Sequence, residues 1–224
     1  MRTMKLIASA ICCFILSAVA SVGAADPLTD LAGYSPELAA LYERNRAYHA
    51  VFNQYADAQG FRRPYEHLAT VVHELIHIDS AAHKGFYLDG EYLHPYITNG
   101  QWPTLTNREL PPSKFPPDSI STIYARSTPN NRLPNTLDEI NAYTHIVRFV
   151  GIHEPETLNK QAQSLRGHLQ MAARYADALR SANIALSSPE LAVTQRIIKR
   201  AQASLNAVGA ANNLPAIHFM ETSR

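Results

Sequence analysis

The stretch TVVHELIHIDSAAH, residues 70–83, decides how the fold and the function of this 224-residue chain are interpreted. His73 and His77 are four residues apart, and Glu74 lies between them. In an α-helix, residues four apart lie one turn above each other on the same face, so both imidazoles point in one direction. The spacing therefore predicts either a metal site on a helix or a polar helix face in which the histidines are incidental.

A helix from about residue 64 to residue 84 gives this stretch two distinct faces. Its apolar residues share one side and predict a stripe that packs on the core: Leu68, Val71, Leu75, Ile78 and Ala82. Its polar residues share the opposite side: Glu66, Thr70, His73, His77, Ser80 and Lys84. Glu74 lies about 100° around the helix from His73, on the flank where an activated water could sit.

The pentapeptide HELIH resembles the zinc-binding helix, HExxH, of the zincin metallopeptidases. The resemblance implies that His73 and His77 bind Zn²⁺ and that Glu74 is the general base. It also implies hydrolysis of peptide bonds in a peptide or protein substrate by a metal-activated water. The alternative is a non-catalytic helical protein, with or without zinc, that binds a partner or peptide in the same groove.

A catalytic zinc site needs a third protein ligand, and two residues are candidates. His83 stands ten residues after His73, as in the metzincin branch, but Ser80 occupies the position of the glycine that turns the chain there. The segment DEINAY, residues 138–143, resembles the second helix of the gluzincin branch, which implies Glu139 as the ligand. The small residue three positions later, Ala142, allows that helix to pack closely. We favour Glu139.

Two observations bear on this choice of Glu139. Thr136 and Glu139 also have the spacing of a helix capping box, in which the Glu side chain reaches back to the N-cap amide. The gluzincin pattern has an Asp where this chain has Tyr143, so the sequence does not identify a carboxylate that orients the histidines. Tyr143 itself, one turn after Glu139, is our first candidate for stabilising the oxyanion, ahead of His145, Tyr124 and His94.

A di-iron bundle is a second metal interpretation. Glu74-x-x-His77 and Glu91-x-x-His94 both match its ExxH ligand pattern. Such bundles place the two motifs on separate long helices. Here Asp89-Gly90 separates two aromatic-rich runs, which is typical of a β-hairpin and leaves no room for the second helix.

The first 25 residues are predicted to be a secretory signal peptide. Arg2 and Lys5 precede an apolar run at residues 6–20, and small residues follow it. Both cysteines lie in that run, so the mature protein is expected to have no thiol ligands. Removal of Arg2 and Lys5 takes Lys and Arg from 20 to 18 against 19 Asp and Glu. This near-neutral charge gives no indication of a nucleic-acid or membrane partner, and we expect a secreted or periplasmic protein.

The rest of the chain is predicted to be mostly helical. Helices are expected at residues 34–60, 133–151, 156–185 and 189–208, with Ser35 as the N-cap of the first. A hairpin is expected at residues 85–97, a loop at 98–119, and an ambiguous strand or helix at 119–125. The predicted fold is mainly α (α+β), with one domain at residues 26–224: a zincin-like helix pair, a small hairpin and C-terminal helices.

Overall fold

The computed structural model describes residues 26–105, 133–212 and 214–220. The predicted signal peptide, the distal part of the proline-rich loop and the segment 119–125 lie outside these ranges. The described residues form a mainly helical fold with one small sheet. In chain order the elements are α1 (Pro27–Tyr34), α2 (Pro36–Arg44), a 3₁₀ turn (Arg46–Tyr48), α3 (His49–Ala58), α4 (Pro64–His83), β1 (Phe86–Leu88), β2 (Glu91–Leu93), α5 (Leu133–His153), α6 (Leu158–Ser181) and α7 (Ser188–Ala207). The predicted fold class is confirmed.

The helix predicted to run from residue 34 to residue 60 is interrupted. Ser35 does cap α2, because its hydroxyl accepts a hydrogen bond from the Leu38 amide at 3.2 Å. The helix then ends at Asn45, whose side-chain amide donates to the Leu41 carbonyl at 2.9 Å. After the break, Tyr48 and Tyr55, which an uninterrupted helix was expected to place on its apolar side, are 44% and 43% exposed.

Helix α4 has the predicted bounds, with Pro64 in its first turn and Lys84 ending it in the left-handed conformation, φ 52°. Its predicted stripe is buried at Leu68, Val71 and Leu75, whereas Ile78 is half-buried and Ala82, in the last turn, is exposed. The polar side is buried too: His73, Thr70 and Ser80 are 6%, 7% and 0% exposed. Since α3 and α5 both pack on α4, these three polar residues lie inside the protein, whereas Lys84 at the helix end is exposed.

The hairpin is confirmed. Strands β1 and β2 pair antiparallel, with Phe86 opposite Leu93 and Leu88 opposite Glu91. The turn residues Asp89 and Gly90 both have positive φ, 50° and 87°, which is the conformation that an Asp-Gly pair adopts most readily in a two-residue hairpin turn. The hairpin packs on α4 and α5.

Helix α5 is the centre of the fold, because α4, α6 and α7 all pack against it. Leu133, the first residue of the predicted helix, is already helical. Thr136 is therefore an interior residue, 3% exposed, and the capping-box role considered for Glu139 does not occur. Ala142 is fully buried in the hydrophobic cluster that contains Val72 and Ile76 of α4, as its small size predicted.

Candidate metal centre

Helices α4 and α5 bring three potential metal ligands together. His73 and His77 lie one turn apart on α4, and their Nε2 atoms are 3.1 Å apart. The Glu139 Oε2 atom on α5 is 3.4 Å from the His73 Nε2 and 3.8 Å from the His77 Nε2. Among the described residues, this trio forms a group of His and carboxylate side chains that could hold a metal ion.

The spacing of these atoms fits a tetrahedral metal. Ligand atoms about 2.0–2.1 Å from a tetrahedral Zn²⁺ lie about 3.3–3.4 Å from one another. The three observed separations, 3.1, 3.4 and 3.8 Å, bracket that value. The donor set also fits, because two imidazoles and one carboxylate are a set that catalytic zinc takes, with a fourth position left for water or substrate. The trio could therefore supply three of the four ligands of such an ion.

Asp138 orients His77. The Nδ1 of His77 donates a hydrogen bond of 2.7 Å to Asp138 Oδ2, which also accepts one from the Tyr96 hydroxyl at 3.2 Å. When the ring is neutral, this bond fixes the tautomer in which the Nε2 lone pair of His77 faces His73 and Glu139. Burial lowers the pKa of His77, but the carboxylates of Asp138, Glu139 and Glu74 outweigh burial and raise it to about 9. The carboxylates around His77 therefore favour a positive charge on its ring or beside it.

Glu139 is held as a carboxylate. Burial raises the pKa of Glu139, yet the His73 and His77 side chains more than offset this and lower the pKa well below its usual range. A side chain that stays ionised although only 16% of it is exposed is suited to binding a cation.

His73 is positioned by packing. Its ring lies 4.3 Å from the ring of Tyr143 and 4.8 Å from that of His77, measured between centroids. Its Nδ1 is buried and has no hydrogen-bond partner among the described residues. The two histidines thus differ, since a hydrogen bond orients the ring of His77 and aromatic contacts orient that of His73.

A cavity of about 390 Å³ opens beside the trio. Glu74, His73, Glu139 and Tyr143 line it, and Glu74 has no hydrogen-bond or ion-pair partner in the part of the chain that the structure describes. Burial and Glu139 raise the pKa of Tyr143 to about 12, so its hydroxyl keeps its proton at neutral pH. The cavity thus has a free carboxylate and a phenol donor beside the potential ligands.

The other candidate residues lie elsewhere. The His83 Nδ1 donates to the Asp79 carbonyl at 2.9 Å, and its ring stacks on Tyr92 at 4.1 Å, away from His73. His145 is buried and donates to the Tyr87 carbonyl at 3.1 Å. His94 donates to the Lys84 carbonyl at 2.8 Å, and its predicted partner Glu91 pairs with Arg196. Tyr124 lies outside the described residues.

The structure adds three residues that the sequence did not identify. Asp138 is the carboxylate that orients His77, and its position directly before Glu139 was the available signal. Tyr55 lines the cavity, and besides burial, Glu74 and Glu139 raise its pKa, which indicates that its phenol lies near both carboxylates. His168, on α6, is buried and interacts electrostatically with Glu139. Tyr55 and His168 had no sequence signal, since neither belongs to a motif.

Comparisons with protein-family models, with curated proteins and with solved structures each give no match. Among the described helices, none combines the length and the apolar character needed to cross a membrane.

Proposed function

We propose that this protein is an exported zinc-dependent metallopeptidase, in which His73, His77 and Glu139 hold the zinc. The observation that carries this proposal is the convergence of the three ligand atoms beside a cavity that also contains the free carboxylate of Glu74. A polar helix face with incidental histidines would not require a carboxylate from a second helix at the same point. The resemblance of HELIH to the zincin helix and the predicted signal peptide support the same interpretation.

When bound, zinc would polarise the scissile carbonyl and lower the pKa of the attacking water toward about 7. Glu74 takes the proton from that water as it attacks the carbonyl carbon, and it delivers the proton to the leaving amine when the C–N bond breaks. Tyr143 donates its phenol O–H to the oxygen on which negative charge develops. Asp138 holds His77 in the tautomer that keeps its Nε2 available.

The substitution Glu74→Gln tests this function most directly, because it preserves the shape of the side chain and removes the proton acceptor. We expect the variant to keep about one zinc per chain and to fold normally, and its hydrolysis rate to fall at least ~10²-fold. The assay is cleavage of a mixed peptide library, read by mass spectrometry, with zinc content measured by elemental analysis. Glu43→Gln, on the exposed surface of α2, is the matched control and should cleave like the wild type.

Three outcomes would contradict the proposal in different ways. If zinc-loaded wild type cleaves neither the library nor peptidoglycan fragments, the protein is a binding protein and not a peptidase. If Glu74→Gln loses zinc or unfolds, the carboxylate stabilises the site and is not the base. If a His73→Ala/His77→Ala variant holds as much zinc as the wild type, the metal lies elsewhere.

A further inference from the structure

A second cavity lies on the opposite side of α5 from the metal centre. It has a volume of about 300 Å³, and no residue lines both cavities. Arg148 lines it from α5, nine positions after Glu139, which is about 180° around the helix. The volume is at the lower end of the ~300–1,000 Å³ of small-molecule pockets, so the cavity fits a small ligand.

Four charged side chains line this second cavity, and two of them neutralise each other. Arg200 donates from Nε and Nη2 to the two carboxylate oxygens of Asp89, at 2.8 and 3.0 Å. A two-bond pair of this geometry leaves neither group available as the main partner of a ligand charge. Arg148 and Glu37 differ, since neither has an ion-pair partner among the described residues. The cavity thus presents one unpaired cation and one unpaired anion.

The rest of the lining carries no net charge and offers polar groups. His145 is buried and donates to the Tyr87 carbonyl, and burial lowers its pKa to about 4, so the ring is neutral. Burial raises the pKa of Tyr34, while Arg148 and Arg200 oppose this, which indicates that both guanidinium groups lie near the Tyr34 phenol. The Tyr34 hydroxyl can therefore donate to the same ligand group as Arg148.

We propose that the second cavity binds a small zwitterion, a free amino acid or a dipeptide, with its carboxylate on Arg148 and Tyr34 and its ammonium on Glu37. A neutral ligand such as a sugar would cover Arg148 and Glu37 without giving either an opposite charge, which is unfavourable. A multiply charged anion such as phosphate would be repelled by the Glu37 carboxylate, which has no ion-pair partner among the described residues. The proposal does not depend on the peptidase activity.

Calorimetric titration of the purified protein with alanine and alanyl-alanine tests this proposal. We expect at least one of them to bind with a dissociation constant of ~1 mM or tighter. N-acetyl-alanine lacks the ammonium and alaninamide lacks the carboxylate, and each should bind at least ~10-fold more weakly than alanine. Because amino acids chelate zinc, the titrations are run on zinc-loaded protein and with EDTA present, and the affinities should agree.

Two single variants locate the site. Arg148→Gln and Glu37→Gln should each weaken binding of the zwitterion at least ~10-fold, because each removes one charge-assisted contact. Both side chains belong to exposed residues, so folding should be unaffected, and the melting temperature checks this. Arg46→Gln, on an exposed residue outside the cavity, is the control and should bind like the wild type.

Every other result overturns the proposal. If neither zwitterion binds at a concentration 10-fold above the expected dissociation constant, the cavity does not take such a ligand. Equal binding of N-acetyl-alanine and alanine means that the site takes any carboxylate. Binding that disappears with EDTA, or that survives both variants, places the amino acid elsewhere on the protein.

Discussion

Helix α4 carries two buried polar clusters that are built in opposite ways. Around Asp79, hydrogen-bond donors surround one carboxylate: Arg44 donates at 2.8 and 2.7 Å, Asn45 at 3.0 Å and Tyr92 at 2.6 Å. Around His77, by contrast, the Nε2 atoms of two histidines and a Glu139 oxygen face one another. The first cluster is complete without a ligand, whereas the second brings acceptors together and requires a proton or a metal cation between them.

This difference separates a cluster that stabilises the fold from one that can bind a ligand. Both clusters are rich in His, Asp and Tyr, so composition alone would not distinguish them. The balance of hydrogen-bond donors and acceptors distinguishes them. A buried polar group without a partner destabilises the fold, so such a group persists where function requires it. The following three variants test the contrast, and we expect their effects to decrease in order.

The Asp79→Ala substitution should have the largest effect, on stability. It leaves Arg44 and the Tyr92 hydroxyl without their carboxylate acceptor, and removing one partner of a buried pair costs about 3–5 kcal/mol. The Arg44 side chain is 38% exposed and can turn to water, so we expect a loss of about 3 kcal/mol in unfolding free energy, measured by urea denaturation. The zinc content should stay near one per chain.

The control for Asp79→Ala is Asp57→Ala, which breaks the pair with Arg62 on the surface, where the two side chains are 54% and 70% exposed. Its cost should be under ~1 kcal/mol. If Asp79→Ala folds but loses its zinc, the two clusters are coupled and the contrast drawn between them is wrong.

The Asp138→Asn substitution should have an intermediate effect, on metal affinity. Asn keeps the size of the side chain but weakens the hydrogen bond that orients His77. Loss of such a partner typically lowers metal affinity 10- to 100-fold, or about 1.4–2.7 kcal/mol. Competition with a zinc-binding dye measures the change. The metal-free variant should also unfold at a lower urea concentration than the wild type at neutral pH, because the Asp138 carboxylate that raises the pKa of His77 is gone.

Tyr96→Phe is the matched control for Asp138→Asn. It removes the second hydrogen bond to Asp138 but leaves the Asp138–His77 contact, so zinc should bind less than ~10-fold more weakly. If Asp138→Asn binds zinc as tightly as the wild type, packing alone orients His77, as it does His73.

The sequence predicted the helices and the His73/His77 pair because their signals are local, whereas Glu139 was proposed from the resemblance of DEINAY to the gluzincin helix. Pro64 marks the start of α4, Asp89-Gly90 marks the hairpin, and the four-residue spacing of His73 and His77 sets their common direction. The break at Asn45 was not predictable, since its amide contacts Asp79, which lies 34 residues away. Asp138 was missed for the same reason, because its partner His77 is 61 residues away in sequence. Local sequence patterns could not predict which surfaces of α4 become buried.

The His83→Ala substitution should have the smallest effect and decides between the two candidates for third ligand. In the metzincin arrangement His83 would bind the metal, and its loss would remove the zinc. In this structure α4 continues as far as His83, so its ring is carried away from His73 and stacks on Tyr92, on the Asp79 side. The side chain is 46% exposed, so its removal should cost no more than about 1 kcal/mol in unfolding free energy. Zinc affinity should be unchanged within experimental error, whereas Glu139→Ala should lose zinc. The reverse result, with zinc lost in His83→Ala and retained in Glu139→Ala, would assign the third ligand to His83 and reject the trio proposed here.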